Sequence, residues 1–103
     1  MQPYFIMSKA STQDVVWLER ALGIQMHSLG EMLDACDKAA LSLCLEVMDI
    51  LNNCLSEKIF SETNDLVVLQ RAVLQNLDMG RVDEAIVLQR GAIEECELVL
   101  SLL

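Results

Sequence analysis

The stretch "LDACDKAALSLCLEVMDILNNC" (residues 33–54) decides the fold class. Leu33, Cys36, Ala40, Leu43, Val47, Ile50 and Cys54 recur at steps of three and four. That is the period at which residues return to one face of an α-helix. A second line, Cys44, Met48, Leu51 and Leu55, runs beside the first, and Leu41 and Leu45 widen the face further. An apolar face this broad exceeds what a single neighbouring helix covers, so the segment is expected to pack against more than one.

Working back from it, "STQD" (residues 11–14) has the form of a capping box, with Asp14 in place of the usual Glu. Val15, Leu18, Leu22, Met26 and Leu29 then mark a first helix that should end near Gly30. No Pro stands beside Gly30, so the first two helices are also compatible with one long kinked rod. Working forward, "FSETND" (residues 60–65) is a break, with Ser61 or Thr63 as the next N-cap. A third helix is expected from Glu62 to Asp78 through Leu66, Leu69, Val73 and Leu77, and Gly80 suits its left-handed C-terminal residue. A fourth runs from Val82 to Leu102 along Ala85, Leu88, Ala92, Cys96 and Val99. The final "LVLSLL" is apolar enough to require cover from the core or from another chain.

One Pro and four Gly in 103 residues are too few for an all-β chain, which needs turn residues about every 8–12 positions. The fold class is therefore all-α: a four-helix bundle or a pair of antiparallel helical hairpins, in one domain spanning residues 1–103. Residues 1–10 read as a flexible N-terminal extension. No apolar run reaches the roughly 20 residues needed to span a bilayer. The opening "MQPYFIMSK" lacks the basic start of a signal peptide. A cytoplasmic location is expected, with Cys36, Cys44, Cys54 and Cys96 as reduced thiols within apolar helical patterns.

The formal net charge is −9. Lys9, Arg20, Lys38, Lys58, Arg71, Arg81 and Arg90 are scattered rather than clustered, which argues against binding nucleic acid or an anionic membrane. An acidic surface suits a basic protein partner.

Gly80, Val82, Ala85 and Ala92 form the spacing G-x-V-x-x-A-x6-A. This weakly resembles the turn and second helix of a tetratricopeptide repeat, in which the Gly permits the turn and the Ala residues let helices approach closely. The resemblance covers at most Leu66 to Cys96. Upstream, Ala72, Val73 and Asn76 stand where the family carries a Leu-Gly pair and an aromatic, and no second copy is visible at the family's period of about 34 residues.

Candidate chemistry is sparse. His27, in "MHSLG", is the only histidine. The segment is similar to the H-x-L-K-G site of histidine phosphotransfer domains, which are acidic helical bundles, but it lacks the Lys and places Gly30 one residue early. His27, Glu31 and Asp34 share a helix face, without a second set of ligands elsewhere. Glu94, Glu95 and Glu97 lie on a polar face where carboxylates are ordinarily solvated. No phosphate-binding loop or nucleophile motif is present. Neither catalysis, nor a metal, nor a cofactor is expected.

The apolar surplus, which includes six Met, points to binding. The chain reads as a small acidic adaptor or secretion-type chaperone that shields an amphipathic helix of a protein partner. Its groove is expected to be lined by Leu43, Val47, Met48, Leu51, Leu88 and Leu100. Phosphotransfer through His27 and a purely structural or regulatory homodimer are the alternatives; the chain is expected to be dimeric or complexed, with a homodimer the expected form of self-association.

Overall fold

The computed structural model describes residues 11–103. The reading of residues 1–10 as an extension lies outside that range. Four helices form: α1 (Thr12–Leu33), α2 (Asp37–Asn53), α3 (Phe60–Asp78) and α4 (Val82–Leu102), with a short 3-10 turn (Glu57–Ile59) before α3. They pack as an antiparallel four-helix bundle in which α1 touches α2 and α4, and α3 touches α2 and α4. The broad apolar face of α2 is thus divided between two neighbours, α1 and α3. Because α4 returns to α1, the ring is closed. Gly80, Ala85 and Ala92 do serve a tight hairpin, but within a bundle rather than an open array.

The helix boundaries correct the sequence reading in two places. α1 does not end at Gly30; it continues to Leu33, and Leu33 and Cys36 are not the first residues of α2. The break comes at Ala35, whose φ of 61° is left-handed. There the Cys36 amide donates to the Glu31 carbonyl at 2.8 Å and the Ala35 amide to the Met32 carbonyl at 3.1 Å, which closes the helix as a Schellman turn. A non-Gly residue pays a cost of about 1–2 kcal/mol for this conformation, so no glycine signals the stop. Neither Ser61 nor Thr63 caps α3. Instead Ser56 precedes the 3-10 turn, and the buried Thr63 hydroxyl donates back to the Ile59 carbonyl at 3.1 Å.

The second hairpin repeats the first. The turn after α3 has the same two bonds, Arg81 amide to Asn76 carbonyl (2.8 Å) and Gly80 amide to Leu77 carbonyl (3.1 Å), with Gly80 at φ 75°. Cys36 (φ −94°, ψ 67°) and Arg81 (φ −91°, ψ 70°) then start α2 and α4 from almost the same backbone conformation. A shift of 45 residues, the separation of the hydrogen-bonded pair Gln25 and Gln70, aligns the turns and the buried positions of the two halves. Ala21 falls on Leu66, Met32 on Leu77, Ala40 on Ala85, Val47 on Ala92 and Leu51 on Cys96, and each member of each pair is buried. The exchange of hairpins leaves the neighbour pattern unchanged, so the two hairpins occupy equivalent places in the bundle. Few identities accompany it, because a heptad-patterned core constrains size and polarity more than residue type.

At the end where the halves join, Asp14 closes the structure. Its carboxylate accepts from the Ser11 amide and hydroxyl, as the capping box requires, and also from the Ser56 amide and hydroxyl, both at 2.8 Å. Burial opposes ionisation of this carboxyl, but the donors on Ser56 and Ser11 together outweigh it and hold the group below its ordinary value. A carboxyl depressed in the folded state stabilises fully above its unfolded pKa, and that contribution is lost as the pH falls through the folded value. Asp14→Asn should therefore lower stability by about 2 kcal/mol near pH 7, the scale of hydrogen bonds to a buried charge. Denaturant titrations across pH should show the deficit shrinking below the carboxylate range. A deficit independent of pH would contradict the clamp.

Candidate functional site

The core line of α1 is Asp14, Leu18, Ala21, Gln25, Ser28 and Met32, not the expected line through Val15, Leu22, Met26 and Leu29. Met26 is exposed and the other three are half-buried. Polar residues occupy the true core line because each is satisfied there. Halfway along the bundle, every helix contributes one such residue: Gln25, Cys44, Gln70 and Gln89, all without solvent exposure. Gln70 and Gln89 bond reciprocally, at 3.2 and 3.0 Å. The Gln25 amide nitrogen donates to Gln70 Oε1 at 2.9 Å and to the Ala92 carbonyl at 3.4 Å. Gln70 Nε2 also donates to Cys44 Sγ, and the Cys44 thiol donates towards Gln89 Oε1 at 3.7 Å. The Ala92 carbonyl can only accept, so it fixes which way Gln25 points and, through Gln25, orders the other two amides.

This layer separates two apolar clusters. One holds Leu18, Val47, Leu51, Leu66 and Val99; the other holds Met32, Ala40, Val73, Leu77 and Ala85. Gln25 Oε1 is the one buried side-chain oxygen or nitrogen among the described residues without a partner. Burial raises the Cys44 thiol, and burial followed by Glu97 and Glu95 pushes Cys96 up to about 12. Both are inert neutral thiols at ordinary pH. Cys36 departs from the core reading: it is exposed, at the first turn. Cys54 is half-buried.

The expected binding residues are distributed through this architecture rather than along a surface groove. Val47, Met48 and Leu51 are interior, and Leu43, Leu88 and Leu100 are half-buried. The folded bundle does not bring the six together on its surface. His27 is exposed on α1 with Nε2 at 3.5 Å from Glu31 Oε1, so a carboxylate rather than a cation faces the ring. Asp34 is the C-terminal cap of α1, its amide donating to the Gly30 carbonyl at 3.0 Å. No group of three or more His, Cys, Asp or Glu among the described residues is placed to hold a metal ion.

Outside, a groove between α2 and α3 is lined by Leu41, Leu45 and Leu74, and two further surfaces bear on partner binding. One is the groove between α1 and α2, lined by Trp17, Ile24, Leu45, Ile50 and Cys54, with Glu46 and Asp49 on its rim. The Arg20 guanidinium sits 5.9 Å from the Trp17 ring centre and places a positive charge in it. The other is the outer face of α4. Val87 is 69% exposed, Leu98 52% and Leu102 57%. These three residues lie on the side of α4 opposite Ala85, Gln89, Ala92, Cys96 and Val99.

The fold and surface define a class: a small acidic antiparallel four-helix bundle with a buried amide layer and unpartnered apolar surface. The chain matches no protein-family model, no curated protein and no solved structure. Among the described residues, no single helix is long and apolar enough to cross a membrane.

Proposed function

We propose that the protein works without catalysis, as a protein-binding module of the adaptor or secretion-type chaperone kind, which shields an amphipathic helix of a partner. The observation that supports this reading is the set of large apolar side chains left outside a complete core. Val87, Leu98, Leu102 and Leu45 are each more than half exposed, although the bundle closes without them. Such positions cost little for folding, and grouped on a helix face they provide the apolar centre that a protein interface needs. An amphipathic helix laid against a helical surface is a common recognition mode of this type.

The test uses the full chain and a dye-labelled synthetic peptide of Leu and Lys patterned as an amphipathic helix. A scrambled peptide of the same composition is the control. Anisotropy should rise saturably with the patterned peptide, with affinity at least about tenfold tighter than for the scrambled one, or about 1.4 kcal/mol. Equal affinities would contradict the proposal. A tight dimer by light scattering that takes up neither peptide would identify a structural homodimer instead.

A further inference from the structure

The outer face of α4 carries more than apolar side chains. At about 100° per residue, Val87, Gly91, Glu94, Leu98 and Leu102 fall within a strip roughly 80° wide. From Val87 to Leu102 the strip is about 22 Å long, or four turns. Asp83 and Glu97 border it on one side, Glu84 and Glu95 on the other, and Glu94 stands within it. Arg90, the only basic residue in α4, lies on the same border as Asp83 and Glu97, so the strip and its borders carry five carboxylates and one guanidinium, a net charge of −4. None of these five carboxylates is paired with a described Lys or Arg. At the middle, Gly91 leaves open space: a Cβ added there would meet nothing within 4 Å. A partner helix can therefore approach most closely at Gly91, with apolar contacts on both sides of that point.

We infer that this α4 face is the docking surface, and that its occupant is an amphipathic helix of a partner protein whose apolar stripe is flanked by Lys and Arg. The inference rests on the binding function proposed above and names its site and the chemistry of its partner. Charge decides the occupant. A second copy of this chain laid on the same face would set a net charge of −4 (five carboxylates and Arg90) against −4, and like charges in juxtaposition at an interface are unfavourable. A basic amphipathic helix removes that repulsion and covers Val87, Leu98 and Leu102 from water. The α1–α2 groove fits such a partner less well, because Arg20 beside Trp17 offsets one of its two carboxylates, Glu46 and Asp49, and leaves a net charge of −1 rather than −4.

The experiment compares the labelled Leu/Lys peptide with a Leu/Glu peptide of identical apolar pattern. It uses three full-length chains: wild type, Val87→Gln/Leu98→Gln, and Leu45→Gln. All the substituted positions are exposed, so each chain should keep its fold, as circular dichroism checks. The Leu/Lys peptide should bind wild type and Leu45→Gln alike and lose at least tenfold in affinity on Val87→Gln/Leu98→Gln. The Leu/Glu peptide should bind none of them. Trp17, the only tryptophan, reports on the competing groove and should keep its emission. Loss of binding in Leu45→Gln with a shift in Trp17 emission would overturn the α4 site and leave the binding function standing. Equal binding of the Leu/Glu peptide would overturn the charge argument alone. Binding of neither peptide to wild type would overturn the function along with the site.

Discussion

Gln70→Leu is expected to cost about 3–5 kcal/mol, despite replacing a polar core residue with an apolar one of similar size. Gln70 holds the layer together: its oxygen accepts from Gln25 and Gln89, and its nitrogen donates to Gln89 and Cys44. Removing it leaves Gln25 with one 3.4 Å bond to Ala92 and deprives Gln89 of both its partners on Gln70. Each stranded buried polar group costs about 1–3 kcal/mol, and Gln25 and Gln89 have no solvent exposure. The reverse holds for the whole layer. Substituting Gln25, Gln70 and Gln89 together by Leu removes every stranded amide, the unpartnered Gln25 Oε1 included, and should recover the loss or exceed wild type. A layer of this kind fixes register, since a slip of one heptad sets amides against leucines. The triple variant should therefore be stable but mixed in oligomeric state. Denaturant midpoints and light scattering read both effects; a harmless Gln70→Leu would show that the layer carries no coupled network.

Val47→Asp should abolish folding. Val47 has no solvent exposure and lies in the cluster with Leu18, Leu51 and Leu66. A carboxylate there has no described donor and must either ionise in an apolar site or enter protonated and unsatisfied. A penalty of about 5 kcal/mol equals the lower end of the whole stability of a domain this size. Leu45→Asp, two residues away on the exposed side of α2, should stay within about 0.5 kcal/mol of wild type. Far-UV circular dichroism and thermal melts distinguish the two. A folded Val47→Asp chain would mean that α2 presents a different face to the bundle.

Most of the helical architecture is legible in the sequence, because apolar periodicity reports it directly. Leu18, Val47, Leu51, Leu66, Val73 and Val99 fall where their spacing places them, and "STQD" forms its capping box. Two features are hidden for physical reasons. The stop after α1 uses Ala35, which has no sequence signature for a left-handed residue, while Gly30, which has one, sits inside the helix. The amide layer is hidden because Gln is ordinarily a surface residue. Its signal is positional: Gln25 continues the steps of three and four from Asp14, Leu18 and Ala21 to Ser28 and Met32. The 45-residue repeat follows from the same positions, since the halves share burial more than identity. The outer face of α4 was readable as acidic, but Val87, Leu98 and Leu102 became visible as a strip only once the buried line of the helix was fixed.

Hydrogen exchange at the amides around Gln25, Gln70 and Gln89, measured with and without saturating Leu/Lys peptide, tests most directly whether the protein binds with its core closed. If the partner helix docks on the outside, these amides stay as protected in the complex as in the free chain, while protection increases in α4. If exchange there accelerates on binding, the bundle opens to receive its partner against Val47, Met48 and Leu51, and the account of a closed core with an external docking face is wrong.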